Sequence, residues 1–302
     1  MRAQSDSTNA GKISVILPCY NAEKYIRDAI ESILSQSYSN LELVVINDGS
    51  TDASLSIIES LADTDPRVMV ISRENRGLIA SLNEGISIAT GSYIARMDAD
   101  DISLPDRLQL QMRFMFENDL DLVGGAISRF YPSPDKKERP KFYPEKNDAL
   151  VASILTLKSR IAHPTLLAKK AVFDSCRYDP RFKHAEDYAL WLQVVLSGKF
   201  RIGNYPGLVL RYRSHPTQVH KLHGSAEKGM KRLIFTTLML PLVENDSALL
   251  EIISDFWQSN SLATKYRGIF ALGRWFRYLE KQHFFNKQIK RNLVVKAIRR
   301  LF

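Results

Sequence analysis

Short β-branched apolar runs recur along the first third of the chain: Ile13–Leu17, Leu41–Ile46, Val68–Ile71 and Tyr93–Met97. Runs of this length and composition predict buried strands. Between them the apolar spacing lengthens to a helical period over Ala22–Gln36, Asp52–Ala62 and Gly77–Ala89. Tyr25, Ile26, Ala29, Ile30, Ile33 and Leu34 form the apolar face of the first. Strand–helix alternation at this spacing predicts an α/β fold, with a mostly parallel sheet and helices on both faces. Ligands of such sheets bind at the carboxyl ends of the strands. The polar residues that follow each strand therefore carry the most weight.

Beyond the fourth strand the pattern is less regular. Pro105–Asn118, Asp148–Leu157 and Glu186–Ser197 predict helices, and Tyr131–Pro144 a Pro/Lys-rich loop. Leu122–Ile127, Thr165–Ala168, Phe200–Ile202 and Leu208–Tyr212 predict strands. From about His220 the pattern is helical, with a break at Pro241. The chain thus divides into a polar N-terminus over 1–11, expected to be disordered, a domain over 12–220 and a helical extension over 221–302. No run reaches the ~20 apolar residues of a spanning helix, and the opening residues do not read as a signal peptide.

Charge sharpens this division. The 302 residues carry a net charge of +9, yet Ser261–Phe302 alone holds eleven Lys or Arg against one acid, Glu280. The tail is therefore +10 and residues 1–260 sum to −1. Two cysteines, Cys19 and Cys176, have no partner at metal-ligand spacing and fit free thiols in a reducing cytosol.

Each of the four strands runs into polar residues: Pro18-Cys19-Tyr20-Asn21, Asn47-Asp48-Gly49-Ser50-Thr51-Asp52, Glu74-Asn75-Arg76-Gly77 and Asp98-Ala99-Asp100-Asp101. These should converge on one sheet edge, with Tyr20 free to stack on a base. Asp48 directly follows an apolar strand and suits an acceptor for the imide N–H of uracil or thymine. Asp98 and Asp100, one residue apart, repel each other unless a cation sits between them, and suit Mg²⁺ or Mn²⁺. Neither a Walker-type loop nor a Gly-x-Gly-x-x-Gly follows the first strand, so those phosphate-binding folds have no basis.

Together with Asn83-Glu84-Gly85-Ile86, these motifs resemble the family 2 glycosyltransferases of GT-A fold, from roughly Lys12 to His220. The resemblance implies a nucleotide-sugar donor, most often UDP-linked, a divalent metal at Asp-x-Asp and inversion at the anomeric carbon. On it, residues 12–101 form the nucleotide-sugar half, with Pro18, Tyr20, Asn21, Asp48, Asn75, Arg76, Gly77, Asn83, Asp98, Ala99 and Asp100 at the donor. Residues 102–220 form the acceptor half. Asn47 departs from the second Asp that many relatives carry there.

The resemblance further makes Glu186-Asp187, ahead of a Leu-Trp helix, the acceptor-side motif. Asp187 is the candidate base and Glu186 its neighbour. Adjacent helix positions point ~100° apart, so the order of the two stays open. Trp191 fits either a platform for a sugar ring or the core, and His163 an acceptor-side wall. Arg213 and His215, from a Tyr-Arg-x-His segment, are candidates for diphosphate contact and third metal ligand.

The basic tail places Phe276, Leu279, Phe284, Ile289, Leu293, Ala297 and Leu301 near helical spacing among its cations. This fits a helical subdomain packed on the catalytic domain, or peripheral attachment to an anionic membrane leaflet. No nucleic-acid motif accompanies the charge. The expected protein is a cytoplasmic, inner-leaflet enzyme adding sugars to a glycan or lipid-linked acceptor of lipopolysaccharide, capsule or similar. Transfer to polyprenyl phosphate and nucleotide-sugar binding without turnover are the alternatives.

Overall fold

The computed structural model describes residues 11–131, 136–215, 219–258, 261–282 and 285–301. Apart from Gly11, the N-terminal segment expected to be disordered lies outside these residues, as does Phe284. Contacts divide the chain into two units. The first holds Met1–Tyr143, Ile161–Arg177 and Arg201–His215; the second holds Pro144–Arg160, Tyr178–Phe200 and Pro216–Phe302.

The first unit is built on a nine-stranded sheet. Its strands are β1 (Ile13–Cys19), β2 (Leu41–Asp48), β3 (Val68–Arg73), β4 (Tyr93–Arg96), β5 (Ile102–Ser103), β6 (Leu122–Phe130), β7 (Arg139–Lys141), β8 (Leu167–Lys169) and β9 (Ile202–Arg213). The order is β3-β2-β1-β4-β8-β6-β9-β5, with β7 beside β6. β1, β2, β3 and β4 are parallel, β8 runs against both β4 and β6, and β6 and β9 are parallel again. The expected parallel α/β sheet is thus present, with a mixed second half. Of the two runs read as strands, Phe200–Ile202 contributes only Ile202, and with Leu208–Tyr212 it belongs to one strand, β9, which bulges opposite Gly125–Ile127 to carry Pro206 and Gly207. A bulge is where a sheet tolerates proline.

Side chains of β1 and β2 alternate between two cores, as pleated strands require. Ile13, Val15, Leu17, Leu41, Leu43 and Val45 pack with helices α1 (Ile26–Leu34), α2 (Ser54–Ala62) and α4 (Arg107–Glu117). Ile16 and Ile46 face α3 (Leu78–Ile88), where Gly85 sits so close that a Cβ would lie 2.5 Å from Ile16. This close approach is why a glycine interrupts that helix. A short helix, α6 (Ala171–Ser175), follows β8.

At the amino ends of these strands Glu42 is buried and accepts from Lys12 Nζ (2.6 Å), Ser14 Oγ (2.5 Å), Thr90 N (2.7 Å) and Thr90 Oγ1 (2.8 Å). Burial alone would raise its carboxyl, but these donors overcome it and hold the group at about 2.

The second unit is helical. It contains α5 (Asn147–Ile154), α7 (Glu186–Ser197), α8 (Val219–Met239), α9 (Ser247–Gln258), α10 (Leu262–Glu280) and α11 (Lys287–Leu301). Pro241 lies in a 3₁₀ turn, Leu240–Val243, that ends α8 where the break is expected. Helix α10 approaches α9 through Gly268, where a Cβ would meet Phe256 at 2.4 Å. Trp275, Phe235 and Trp257 pack nearby with ring centroids 6.3 Å apart. Leu279, Ile289, Leu293 and Ala297 are buried, so the apolar stripe of the tail is core within this unit.

The Glu42 network predicts a specific acid sensitivity. A carboxyl lowered on folding stabilises the fold above its ordinary value of 4.5, and that contribution fades as pH falls toward about 2. Glu42→Gln should lose about 3 kcal/mol at pH 7 in urea unfolding. The gap between variant and parent should close as the pH falls from about 4.5 toward about 2.

Candidate active site

Because β1 to β4 are parallel, their carboxyl ends share one edge of the sheet. Tyr20 follows β1 and is 54% exposed. Asn21, in a left-handed conformation (φ 49°), accepts from Thr51 N at 2.8 Å and donates its own N–H to Ser50 Oγ at 3.0 Å. Glu23 N donates to Asp52 Oδ2 and Ala53 N donates to Glu23 Oε2, both at 3.1 Å. The turn after β1 is thereby laced to the loop after β2. Asn47, buried, donates to Ser72 Oγ (3.0 Å) and accepts from Ser50 N (3.3 Å), so the amide serves this turn without a second acid. Pro18 and Asn83 are half-buried, and Asn75 and Arg76 are exposed beside the loop.

Asp48 is buried at the end of β2. Its Oδ1 accepts from the Arg73 guanidinium and from Arg76 N (2.9 Å), and Oδ2 from Gly77 N (2.8 Å). Gly77 (φ 86°) and Gly49 (φ 73°) provide the backbone turns this requires, and a Cβ on Gly49 would lie 2.6 Å from Asn75 N. Arg73 also donates to Glu84 Oε2 (2.5 Å) and Ser81 Oγ (3.0 Å), tying β3 to α3. Glu84 thus has a structural reason to stand beside Asn83 and Gly85. Arg73 carries no role in the sequence reading, although a lone cation closing an apolar strand is a legible signal.

Asp98, Asp100 and Asp101 follow β4 and bring one oxygen each within 4.8 Å of one another. Behind them Arg96, buried in the last strand position, clasps Asp98 with both terminal nitrogens, one at 2.6 Å. Arg107, fully buried on α4, donates to the carbonyls of Arg96 (2.8 Å) and Leu166 (3.3 Å). Burial, then the Arg96 charge, lower this guanidinium to about 9. Burial raises Asp98 to about 6, with Arg96 opposing and Asp100 adding to the shift. Asp101 is pushed well up by burial and by Asp100 and Asp98. Its Oδ1 accepts from Arg213 N (2.8 Å), while its buried Oδ2 has no hydrogen-bond partner among the described residues.

His215 comes from the far end of β9 and places Nε2 2.8 Å from Asp100 Oδ2, its ring 5.3 Å from Tyr25. The sequence-distant pair Asp100 and His215 is therefore brought together. Arg213 is not placed as an open diphosphate contact. Its guanidinium lies between the rings of Tyr25 and Phe130, each 4.7 Å away, and donates to Asp100 O (2.7 Å) and Asp28 Oδ2 (3.1 Å). It fastens the acidic turn to α1. Ala99 packs against the core of this unit. His163 lies in a 3₁₀ turn, His163–Thr165, where burial and the Arg96 charge hold it well below the ordinary histidine value, hence neutral.

Three carboxylates, one with a buried unsatisfied oxygen, and an adjacent imidazole are a donor set that fits a hard divalent cation. The sequence reading names Asp98, Asp100 and His215; the structure adds Asp101 to the cluster.

In the helical unit, Glu186 and Asp187 open α7 and are both half-buried. Asp187 Oδ1 accepts from Tyr188 N at 2.6 Å. Burial raises its carboxyl above the usual range, against the pull of Lys231, so it is a stronger base than an exposed aspartate. Trp191 is 1% exposed and packs as core. It offers no face to a sugar ring, because one turn beyond Asp187 the helix has already entered the interior.

Residues 14–176 match the profile "Glycosyl transferase family 2". The chain belongs to glycosyltransferase family 2. Among its relatives, the O-antigen biosynthesis glycosyltransferase WbnJ of Escherichia coli is 36% identical over 211 residues, covering 69% of this chain and 82% of WbnJ. Among solved structures, TarS 1–349 of S. aureus in complex with UDP-GlcNAc superposes with a TM-score of 0.61 at 20% identity, covering 96% of this chain and 89% of that one. The mannosyltransferase PcManGT of Pyrobaculum calidifontis, in complex with GDP-Man and Mn²⁺, gives 0.57 at 16% identity, covering 97% and 81%. These likenesses agree with a GT-A fold. As a family 2 glycosyltransferase the protein is an enzyme.

The Arg73–Asp48 pair is buried on both sides, with side chains 9% and 5% exposed. Removing one partner of such a pair costs about 3 kcal/mol. Arg73→Met should show that loss in urea unfolding, and adding Asp48→Asn should recover part of it.

Proposed function

We propose that this enzyme is an inverting, metal-dependent transferase that moves a sugar from a nucleotide sugar, UDP-linked, to a glycan or glycolipid acceptor in surface-polysaccharide biosynthesis. The observation that carries this reading is the convergence of Asp98, Asp100, Asp101 and His215 on one strand-end turn. The relationship to WbnJ supports the pathway, and the UDP-GlcNAc complex of TarS supports the donor class.

In this reading Tyr20 stacks on the base, and Asp48 Oδ2, which accepts one bond from Gly77, takes the imide N–H as a second. Asn75, Arg76 and Gly77 flank the same loop. Asp98 and Asp100, with His215 beside Asp100, would hold the divalent cation, Mn²⁺ or Mg²⁺. When bound, that ion offsets the negative charge growing on the leaving diphosphate. Asp187 accepts the proton of the attacking acceptor hydroxyl, and Glu186 orients it. The new glycosidic C–O bond forms as the bond from the anomeric carbon to the diphosphate oxygen breaks, and the diphosphate leaves with the electron pair. His163, held neutral, lines the site as an uncharged wall. The basic tail helices keep the enzyme at an anionic cytoplasmic membrane surface. No helix among the described residues is long and apolar enough to cross a membrane.

Two variants separate binding from transfer. UDP with Mn²⁺ should raise the Tm of the parent, and Asp100→Ala should abolish that rise; an unchanged rise would place the metal elsewhere. Asp187→Asn should keep the rise and lower kcat by at least 10²-fold in a UDP-release assay. Near-parental turnover would transfer the base role to Glu186 or another group.

A further inference from the structure

We infer that the cavity between α5 and α11 in the helical unit is a binding site for a phosphate or diphosphate group. The cavity measures about 260 Å³, and its lining includes Ser153, Arg291, Asn292, Val295, Lys296 and Arg299. Three cations, a hydroxyl and a carboxamide therefore face one space large enough for a diphosphate. Guanidinium forks and an ammonium are the groups that recognise phosphate oxygens.

No carboxylate among the described residues pairs with these three cations. Among the described residues, the ion pairs of this unit use Arg181, Lys231, Arg232, Arg274, Lys281 and Lys290. None uses Arg291, Lys296 or Arg299. Asp148, on α5, accepts instead from Asn286 (3.1 Å), and Glu280 is engaged by Lys290. Lys296 reaches Ser153 Oγ at 3.3 Å. Burial, then Lys158, Arg160 and Arg299, hold its ammonium down at about 8, with no carboxylate acting against them. Lys158 is lowered in the same way by burial, Arg160 and Arg300. A bound dianion relieves this mutual repulsion.

The outer face of α11 adds a second element. Val294, Val295 and Ile298 are 36%, 39% and 51% exposed beside the cationic lining. An apolar surface bordering a phosphate pocket suits the head of an amphiphile. A lipid phosphate and a soluble phosphate present the same chemistry to the pocket, and experiment separates them. Every residue invoked lies in the helical unit, so the inference stands or falls independently of the donor site.

The full chain in EDTA should be titrated calorimetrically with inorganic phosphate and diphosphate, and co-sedimented with phosphatidylcholine vesicles with and without phosphatidic acid. Asp100→Ala should bind these probes like the parent. Arg291→Gln/Arg299→Gln, at two exposed positions, should weaken binding at least tenfold with unchanged helical circular dichroism, and Lys296→Met should weaken it independently. Arg277→Gln/Lys281→Gln makes the same charge change elsewhere in the unit and should have no effect. Binding to acidic vesicles alone identifies a lipid headgroup, and binding to the free anions identifies a soluble phosphate. Absence of binding to every probe overturns the inference. So does equal binding by the parent and the cavity variants, or equal loss in the Arg277/Lys281 control.

Discussion

Buried charge compensation at the end of β4 is the constraint on which the carboxyl edge of the sheet depends. Three carboxylates within 4.8 Å of one another repel strongly, and two of them, Asp98 and Asp101, are also raised by burial. Arg96 and Arg107 stand behind them in the interior, one clasping Asp98 and the other fixing the Arg96 carbonyl. Burying a guanidinium is itself unfavourable unless its donors are used, and Arg107 uses its own on two backbone carbonyls and Gln111. The turn is thus held in place with its own repulsion only partly offset. That is the state in which a divalent cation is most strongly favoured.

The other strand ends repeat the device on a smaller scale. Arg73 clamps Asp48 to Glu84, and Arg213 clamps the acidic turn to Asp28. In both cases the cation positions a loop from behind; Tyr20 and Arg76 are left exposed, while the unsatisfied Asp101 Oδ2 stays buried within the acidic cluster. Polar residues at this edge therefore come in two layers: those at the strand-end surface, and the arginines that hold them in place from behind.

Much of this was legible in the sequence because strand ends and motifs are local. The four parallel strands, the three helices between them and the Asp-x-Asp turn all follow from periodicity and from polar residues directly after apolar runs. Helix α7 begins and ends where Glu186–Ser197 predicted it. The buried arginines were not legible in the same way. Arg96 and Arg107 look like ordinary surface cations until the sheet folds over them, although a cation inside Tyr93–Met97 breaks the apolar run. Trp191 shows the converse: helical spacing from Asp187 cannot distinguish a platform from a core residue, and burial decides for the core. β5 and β7, with two and three residues, are too short to leave a period at all.

The tail illustrates how an amphipathic pattern can serve two surfaces. Leu279, Ile289, Leu293 and Ala297 are consumed by packing within the helical unit, together with α5 and α9. A helix that buries its main stripe loses it as a membrane anchor. What remains on α11 is a narrower set, Val294, Val295 and Ile298, beside Arg291, Lys296 and Arg299, which make no ion pair among the described residues. The excess charge is therefore not spread evenly over a solvated face. Part of it, Arg291, Lys296 and Arg299, is gathered around one cavity beside α5.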